Sequence, residues 1–277
     1  MSKVDLAYLF GFYIGDGYFT YGRTGFDTIS PQIAVKLSEI LTKISPKQPA
    51  VEVYGNPEKF SGVIGRKLFY KKRSAKHSDY VKVRIDSVKF SEHLSENISD
   101  FLSKLDDKSE KEIRAFARGF CDAEASVSPD ATVQIDMAKE NLKTLKLAKK
   151  VFGRLGIGSQ LKMLAKKCRL IVSGTSKNLD NLIKFRNKVN FYIPEKRRVL
   201  EISLKIYGQP RDKRTPDTLS KDVIKVLSSQ NKCDIFNLML KTNSKYTNLR
   251  RSLNILKNRK AINKIFNGQK VLVELSS

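Results

Sequence analysis

The sequence predicts an α+β fold in which an αββαββα unit occurs twice and is followed by a small C-terminal module of three helices and a hairpin. Three observations predict it. Two apolar nine-residue stretches match each other in register, the same order of helix and strand patterns follows each stretch, and the character of the chain changes after Pro210. A repeat of about 100 residues is typical of duplicated domains rather than of solenoids.

The two matching stretches are LFGFYIGDG, Leu9–Gly17, and ARGFCDAEA, Ala117–Ala125. A single offset of 108 residues aligns Gly11 with Gly119, Phe12 with Phe120 and the acid Asp16 with Glu124. Small residues recur every four positions and would form one smooth stripe on a helix; they are Ala7, Gly11 and Gly15 in the first copy and Ala115, Gly119 and Ala123 in the second.

Glycine inside a helix costs ~1 kcal/mol relative to alanine, so a compensating contact is expected. Close approach of two helices through their small residues supplies such a contact. If the two stripes face each other, the helices end side by side and Asp16 meets Glu124. Two close carboxylates repel unless a cation lies between them, and hard oxygen ligands select Mg²⁺, Mn²⁺ or Ca²⁺. The alternative is two buried helices that each end in an ordinary capping acid.

After the first helix, predicted over residues 1–16, the pattern indicates four further elements. They are a strand pair from Tyr18 to about Lys36, a helix over 37–44 stopped by Pro46, a hairpin over 67–86, and one or more closing helices over 88–105. In the last strand, apolar residues alternate with Tyr80, Lys82 and Arg84, which predicts one core face and one basic face suited to a phosphate backbone. A solvated strand face is the alternative.

The second copy repeats this order after the helix that carries Glu124. A strand is predicted over 132–139, an amphipathic helix over 140–157, a strand pair over 159–174 and a helix over 176–189. The predicted domain boundaries are 1–104 for the first repeat, 105–111 for a polar linker, 112–210 for the second repeat and 211–277 for the C-terminal module.

The C-terminal module follows a basic linker, RDKRTP. Helices are predicted over 219–229, 233–241 and 246–261, then a hairpin whose turn is Asn267-Gly268, a strong two-residue hairpin signal. This order resembles a winged helix-turn-helix. Its third helix carries Arg250 and Arg251, side chains suited to phosphates and base edges, so DNA contact is expected. A small domain used for protein contacts is the alternative.

Composition narrows the class of partner. Lys+Arg number 53 against 28 Asp+Glu, a net charge of +25, and such an excess favours a nucleic acid. The three cysteines, Cys121, Cys168 and Cys233, lie far apart without a zinc-ligand spacing, so we expect a reducing, intracellular compartment, cytoplasmic or organellar. We expect no membrane span and no secretion, because the apolar runs are short and no signal peptide is visible.

The two stretches resemble the motif of the LAGLIDADG family of homing endonucleases, in the single-chain form with two motif copies. The resemblance covers residues 1–207 by pattern. It departs from the family motif at Ile14, where the family name has its first Asp, and at Ala125 in place of the closing Gly. It implies duplicated αββαββα repeats related by pseudo-two-fold symmetry in a monomer, with saddle-shaped antiparallel sheets that straddle a long, specific site in double-stranded DNA.

The resemblance also implies which residues form the site. Metal ligands would be Asp16 and Glu124 with the carbonyls of Gly15 and Ala123, for Mg²⁺ with Mn²⁺ as a substitute. The family's basic side chains near the water and the phosphate match Lys36 and Lys139 on the strands, with Lys162 as a further candidate. Candidates for DNA contact are Gln32, Lys71, Lys82, Arg84, Gln134, Lys166, Arg169, Arg250 and Arg251. For each lysine, a plain surface position is the alternative in so basic a chain.

Phosphodiester hydrolysis needs an activated water, a neutralised phosphate and a stabilised leaving oxygen, and divalent metals supply all three. The first hypothesis is therefore a site-specific, intron-encoded double-strand DNA endonuclease. An intron RNA maturase on the same scaffold and a catalytically inactive LAGLIDADG/helix-turn-helix transcription regulator remain open. Two crowded carboxylates without a metal would be a net cost, which argues against the regulator. An intein is not expected, because the first stretch begins nine residues into the sequence.

Overall fold

The computed structural model describes residues 2–71, 78–174, 179–210, 212–267 and 270–276, except for the side chains of 68–71, 266–267 and 270. Ten helices run α1 Lys3–Asp16, α2 Pro31–Ile44, α3 Val88–Ser103, α4 Glu110–Glu124, α5 Leu142–Arg154, α6 Leu179–Lys188, α7 Pro194–Tyr207, α8 Pro216–Gln230, α9 Ile235–Thr242 and α10 Tyr246–Asn258 in the described part of the chain. Twelve strands run β1 Gly17–Thr20, β2 Arg23–Thr28, β3 Ala50–Tyr54, β4 Arg66–Lys71, β5 Tyr80–Asp86, β6 Ala125–Ser128, β7 Thr132–Ala138, β8 Gln160–Met163, β9 Lys167–Ser173, β10 Lys232–Asp234, β11 Ile262–Asn267 and β12 Lys270–Leu275 over the same residues.

The chain folds into two compact units. The first comprises Met1–Ser126, Ile135–Ile171 and Lys184–Pro194, and the second comprises Val127–Gln134, Val172–Ile183 and Glu195–Ser277. These limits run through β6, β7, β9 and α6 and through the first residue of α7. They do not coincide with the boundaries drawn from the sequence, which stay a prediction. No described helix combines the length and the apolarity that a bilayer crossing needs.

The two helices predicted from the matching stretches form, and each ends at its acid. Ser2 caps α1, where its hydroxyl accepts from the Asp5 N–H, and Ser109 and Glu112 form a capping box at the start of α4. Helix α1 ends at Asp16 and α4 at Glu124, and in both cases a strand starts at the next residue. The helix–strand junction thus places both acids at corresponding points of the chain.

The small-residue stripes of α1 and α4 face each other, as predicted. A Cβ atom added to Gly11 would lie 2.0 Å from the carbonyl oxygen of Phe116, and one added to Gly119 would lie 2.0 Å from that of Tyr8. Both positions therefore admit only glycine at this helix separation. Around the contact, Phe101 lies between α1 and α4, with its ring centroid 5.5 Å from that of Phe10 and 5.4 Å from that of Phe116.

The first sheet has the strand order β1-β2-β5-β3-β4 and differs from the prediction in two respects. The hairpin expected over 67–86 is wrong, because β3 lies between β4 and β5 and pairs parallel to β4. Four of the five residues of β3 are buried, including Val51 and Val53. A short apolar run of this kind carries no local turn signal that would place it in a sheet.

The strand pair predicted from Tyr18 is confirmed as β1 and β2, but its predicted end near Lys36 is wrong, because the chain turns into α2 at Pro31. Ser30 accepts from the Ile33 N–H and Pro31 occupies the first helical turn, a strong start signal for a helix. The apolar residues that follow, among them Ile33, Leu37 and Leu41, lie on one buried helical face. The helix ends at Ile44, before Pro46, as expected.

The second sheet has the order β6-β7-β9-β8, and the β8–β9 strand pair is confirmed. The first sheet has the corresponding order once its additional edge strand β4 is set aside. Helices α5 and α6 follow the predicted pattern, but α7 was not anticipated. The supposed polar linker is partly structural, since Leu105 is only 2 % exposed. That the two copies arose by duplication stays a prediction.

The C-terminal module consists of α8, β10, α9, α10 and the β11–β12 hairpin. Strand β10 was not predicted and adds an edge, giving a three-stranded sheet of order β10-β12-β11. The buried residues of this module include Leu219, Val223 and Leu227 of α8, Leu249 and Leu253 of α10, and Val273 of β12. Gly268 of the predicted hairpin turn lies outside the described residues, and the winged-helix description stays a prediction.

Candidate functional site

Asp16 and Glu124 lie at the adjoining ends of α1 and α4. A Cβ atom added to Gly15 would lie 2.7 Å from the Ala123 Cβ and 3.0 Å from the Glu124 Cγ. The side chain of Glu124 therefore sits against the residue that precedes Asp16. Asp16 is exposed and Glu124 is half-buried, so this end of the helix pair is open to a ligand.

The donor set fits a hard divalent cation. Among the described residues, no group of three or more His, Cys, Asp or Glu side chains is gathered closely enough to hold a metal ion by themselves. Two carboxylates are nevertheless the usual protein share of a Mg²⁺ site, because Mg²⁺ keeps several waters and binds substrate phosphates. The carbonyls of Gly15 and Ala123 belong to the last helical turns, where carbonyls lack intrahelical donors, and would complete the set.

Lys36 does not belong to this end of the helix pair. Its ammonium lies 3.6 Å from the Asp5 carboxylate, 4.8 Å from the centroid of the Tyr8 ring and 5.2 Å from that of the Tyr192 ring. Asp5 and Tyr8 precede Asp16 by three and two helical turns, about 16 Å and 12 Å at 1.5 Å per residue. Helix α2, rather than the expected strand, carries Lys36 to the opposite end of α1.

The two other candidate lysines lie in the second copy. Lys139 begins a short 3₁₀ turn after β7 and is exposed, and Lys162 is exposed on β8, directly opposite Arg169 of β9. Neither forms an ion pair within the part of the chain that the structure describes. Their catalytic role stays a prediction.

On the first sheet, acids accompany the predicted basic face. Lys82 lies 3.3 Å from Asp27, and Arg84 pairs with Glu52 and, at 3.0 Å, with Asp86. The alternation predicted for β5 is confirmed, since Val81, Val83 and Ile85 are buried. The charges of Lys82 and Arg84 are therefore largely compensated within the sheet, and the sequence pattern had suggested a more basic face.

Aromatic rings surround Lys82 on the same face. The rings of Tyr54 and Tyr80 stack with centroids 4.4 Å apart, and the Lys82 ammonium lies 5.8–5.9 Å from the centroids of Tyr18, Tyr54 and Tyr80. The Tyr18 ring lies over Gly25, where an added Cβ would be 2.4 Å from the phenolic oxygen. This face of the first sheet combines phenol, ammonium and carboxylate groups.

The second sheet repeats the pairing of cations with an acid. Asp136 accepts from Lys167 and from Arg169, whose nitrogens lie 2.5 Å and 2.5–2.8 Å from its oxygens. The hydrogen bond from Arg169 lowers the pKa of the Asp136 carboxyl below its ordinary value. Gln134 lies two residues earlier on β7 and is half-buried.

The other candidates for DNA contact are dispersed. Gln32 lies in the first turn of α2 instead of on a strand, and its amide oxygen accepts from Ser30. Lys166 is exposed in the β8–β9 turn, and Arg250 and Arg251 are exposed on α10. The side chain of Lys71 lies outside the described residues.

Asp122, a buried acid two residues before Glu124, was not singled out by the sequence patterns. It is 3 % exposed on α4, accepts from the Tyr8 hydroxyl at 3.0 Å and from the backbone N–H groups of Tyr192 and Ile193. Burial and the neighbouring Asp122 carboxylate raise the pKa of Tyr8 well above its ordinary value. A signal existed in the register of the two stretches, since Asp122 matches Ile14 at the first-Asp position of the motif.

The solved structures to which this chain is similar include homing endonucleases. I-DmoI in complex with DNA and Ca has a TM-score of 0.49 at 18 % identity, covering 72 % of this chain and 97 % of that one. I-DmoI in complex with DNA and Mn has a TM-score of 0.46 at 17 % identity, covering 68 % and 96 %. The I-LtrWI LAGLIDADG homing endonuclease bound to target DNA has a TM-score of 0.41 at 10 % identity, covering 91 % and 96 %.

The structure is similar to LAGLIDADG homing endonucleases. This is the family that the two motif stretches resemble. No family model and no curated protein matches the chain.

Proposed function

We propose that this chain is a metal-dependent endonuclease that hydrolyses both strands of a specific double-stranded DNA site. One observation supports it most: two helices in glycine contact bring two carboxylates, Asp16 and Glu124, to adjoining helix ends. The net charge of +25 fits a polyanionic substrate. Because one chain supplies both acids, we also propose that it acts as a monomer with pseudo-two-fold symmetry.

In this proposal Asp16 and Glu124, with the carbonyls of Gly15 and Ala123, hold Mg²⁺, for which Mn²⁺ would substitute. The bound metal would supply an activated water, neutralise the scissile phosphate and stabilise the leaving 3′ oxygen. The chain's own contribution is positioning. The glycine contact sets the separation of the two acids, and the solvent-facing rows of β1–β5 and of β6–β9 supply polar and aromatic groups for the duplex.

The decisive experiment selects cleaved sites from a randomised DNA library and then compares variants on the selected site. We expect Asp16→Asn and Glu124→Gln each to abolish cleavage of both strands. Affinity for DNA should stay within about tenfold, ~1.4 kcal/mol, because the acids contribute little to groove contact. Glu39→Gln removes an exposed acid of α2 and should leave cleavage unchanged.

Each failure has a distinct meaning. A variant that still nicks at the wild-type rate would remove that acid from the proposed active site. A library without cleaved sites, with Mg²⁺ and Mn²⁺ both tried, would favour the maturase or regulator alternatives. Intron encoding is a further part of the proposal and would be tested by finding the selected site in an uninterrupted copy of a host gene.

A further inference from the structure

The acids of the C-terminal module are all engaged in ion pairs. Five lie between residues 212 and 276; Asp212 and Asp222 pair with Arg214, Asp217 with Arg259, Asp234 with Arg198 and Glu274 with Lys232. The hydrogen bond from Arg214 lowers the pKa of Asp212 to about 2, so that acid is ionised at neutral pH. The module therefore has no acid left to compensate its other cations.

Helix α10 has one apolar and one basic face. Leu249, Leu253 and Leu256 are buried, whereas Arg250, Asn254 and Lys257, spaced at i, i+4 and i+7, are exposed. There is no Asp or Glu among the 13 residues of this helix. The packing of the apolar face therefore fixes which side of α10 faces outward.

Lys264 of β11 joins this basic face. Its ammonium lies 3.5 Å from the Asn254 amide oxygen, and no ion pair involves Arg250, Lys257 or Lys264 among residues 212–267 and 270–276. These three residues are called the cation cluster below. Burial lowers the pKa of Lys264, and the nearby charges of Lys257 and Arg250 lower it further. The cluster thus holds mutually repelling charges whose repulsion a bound polyanion would relieve.

We propose that the cation cluster of α10 and β11 binds the phosphate backbone of double-stranded DNA, with the exposed face of α10 directed to the major groove. A major groove of B-DNA admits an α-helix, and Asn254 and Arg251 on the exposed side are side chains that pair with base edges. A-form RNA has a major groove too narrow for this approach. This surface extends the proposed function to a second DNA contact and does not require cleavage.

The test measures the affinity of the full-length chain for a labelled 40-base-pair DNA duplex against KCl concentration. EDTA is present throughout, so metal-dependent chemistry cannot contribute. Replacing Arg250, Lys257 and Lys264 together by Ala should reduce the slope of log K against log salt by about 2.7, at 0.9 per phosphate contact. The matched control replaces Lys221, Lys225 and Lys241, which are exposed and lie outside the cluster, and should change the slope by less than about one.

Two further variants test whether misfolding, or the loss of particular side chains rather than of their charge, changes the slope. Lys257→Gln should lower the slope by about 0.9 with an unchanged melting temperature, because Lys257 is exposed. Arg250→Lys combined with Lys257→Arg keeps both charges and should retain the wild-type slope. An unchanged slope in the cluster variants, or an equal loss in the control, would overturn the proposal.

Parallel measurements on duplex RNA separate the remaining cases. If the cluster variants lose affinity for duplex RNA and keep it for DNA, the surface is an RNA site and the proposal is wrong. Asp16→Asn should keep the wild-type slope, because that acid is outside the cluster. Failure of the nuclease proposal, seen as no cleaved library sites, therefore remains distinguishable from failure of this one.

Discussion

The two motif helices, α1 and α4, are alike at their glycines and at their terminal acids, and they differ at the residue two positions before each acid. Both place glycine at the crossing and an acid at the last residue. Two positions before the acid, α1 has half-buried Ile14, whereas α4 has buried Asp122. The Asp122 carboxylate accepts hydrogen bonds from the Tyr8 hydroxyl and from the backbone of residues 192–193. Both copies contribute a glycine to the helix contact that brings Asp16 and Glu124 together. At the aligned position before the acid, only the second copy has a buried acid, and it hydrogen-bonds a segment beyond the two helices.

The largest effect is expected at the shared contact. Gly11→Ala or Gly119→Ala would put a Cβ atom 2.0 Å from a backbone oxygen, so the helices must separate. We expect a loss of at least about 3 kcal/mol in the free energy of unfolding, as for severe overpacking. Urea denaturation monitored by circular dichroism would measure it.

Gly153 provides the matched control, since it lies within α5 and an added Cβ would meet nothing within 4 Å. Gly153→Ala should stabilise the protein by about 1 kcal/mol through helix propensity. If the Gly11 and Gly153 variants had equal stabilities, the glycine contact would not set the helix separation.

A smaller effect is expected from the difference between the two copies. Asp122→Ala leaves the Tyr8 hydroxyl and the Tyr192 N–H without their acceptor, at roughly 1–3 kcal/mol for each buried group. Ile14→Ala, at the aligned half-buried position, should cost about 1 kcal/mol.

The two substitutions can be compared in one series of denaturation curves. Tyr8→Phe combined with Asp122→Ala should cost less than the sum of the single variants, since the two residues share a hydrogen bond. Equal losses of unfolding free energy in the Asp122 and Ile14 variants would show that this difference between the copies does not affect stability.

The smallest effect concerns the two sheets, where an acid holds an arginine in each copy. The Glu52 side chain is 7 % exposed beside Arg84, whereas the Asp136 side chain is 28 % exposed beside Arg169. Glu52→Gln should therefore lower the free energy of unfolding by about 2 kcal/mol, because Arg84 loses a buried charged partner but keeps the amide oxygen as an acceptor. Asp136→Asn should lower it by less than about 1 kcal/mol. A larger loss of stability for Asp136→Asn than for Glu52→Gln would mean that exposure does not determine how much these ion pairs stabilise the fold.

Acid titration provides an independent check on the Asp136 pair. Because the folded-state pKa of Asp136 is lowered, its contribution to stability is present above the ordinary value of 3.8 and is lost as pH falls below it. Asp136→Asn should flatten the fall of stability in that range. An unchanged pH profile would show that the pair is not stabilising.

The sequence alone was enough for the features that repeat or have a local cause. The register of the two stretches predicted the glycine contact between α1 and α4 and the positions of Asp16 and Glu124 at the helix ends. The period of the apolar residues predicted α3, α5 and the β8–β9 pair, because side-chain spacing follows directly from helix and strand geometry. The residue roles assigned by resemblance stay predictions.

Tertiary structure decided the features that depend on residues far apart in the chain. Strand β3 enters between β4 and β5 through a parallel pairing, which no turn signal announces. Lys82 and Arg84 meet acids from β2 and β3, and Asp122 meets Tyr8 across 114 residues. Such pairings depend on three-dimensional proximity, so charge and burial at these positions could not be read from the order of residues. The placement of Lys36 did have a local cause, the Ser30-Pro31 helix start, which is present in the sequence. The aromatic pattern before it nevertheless led to the prediction of a strand.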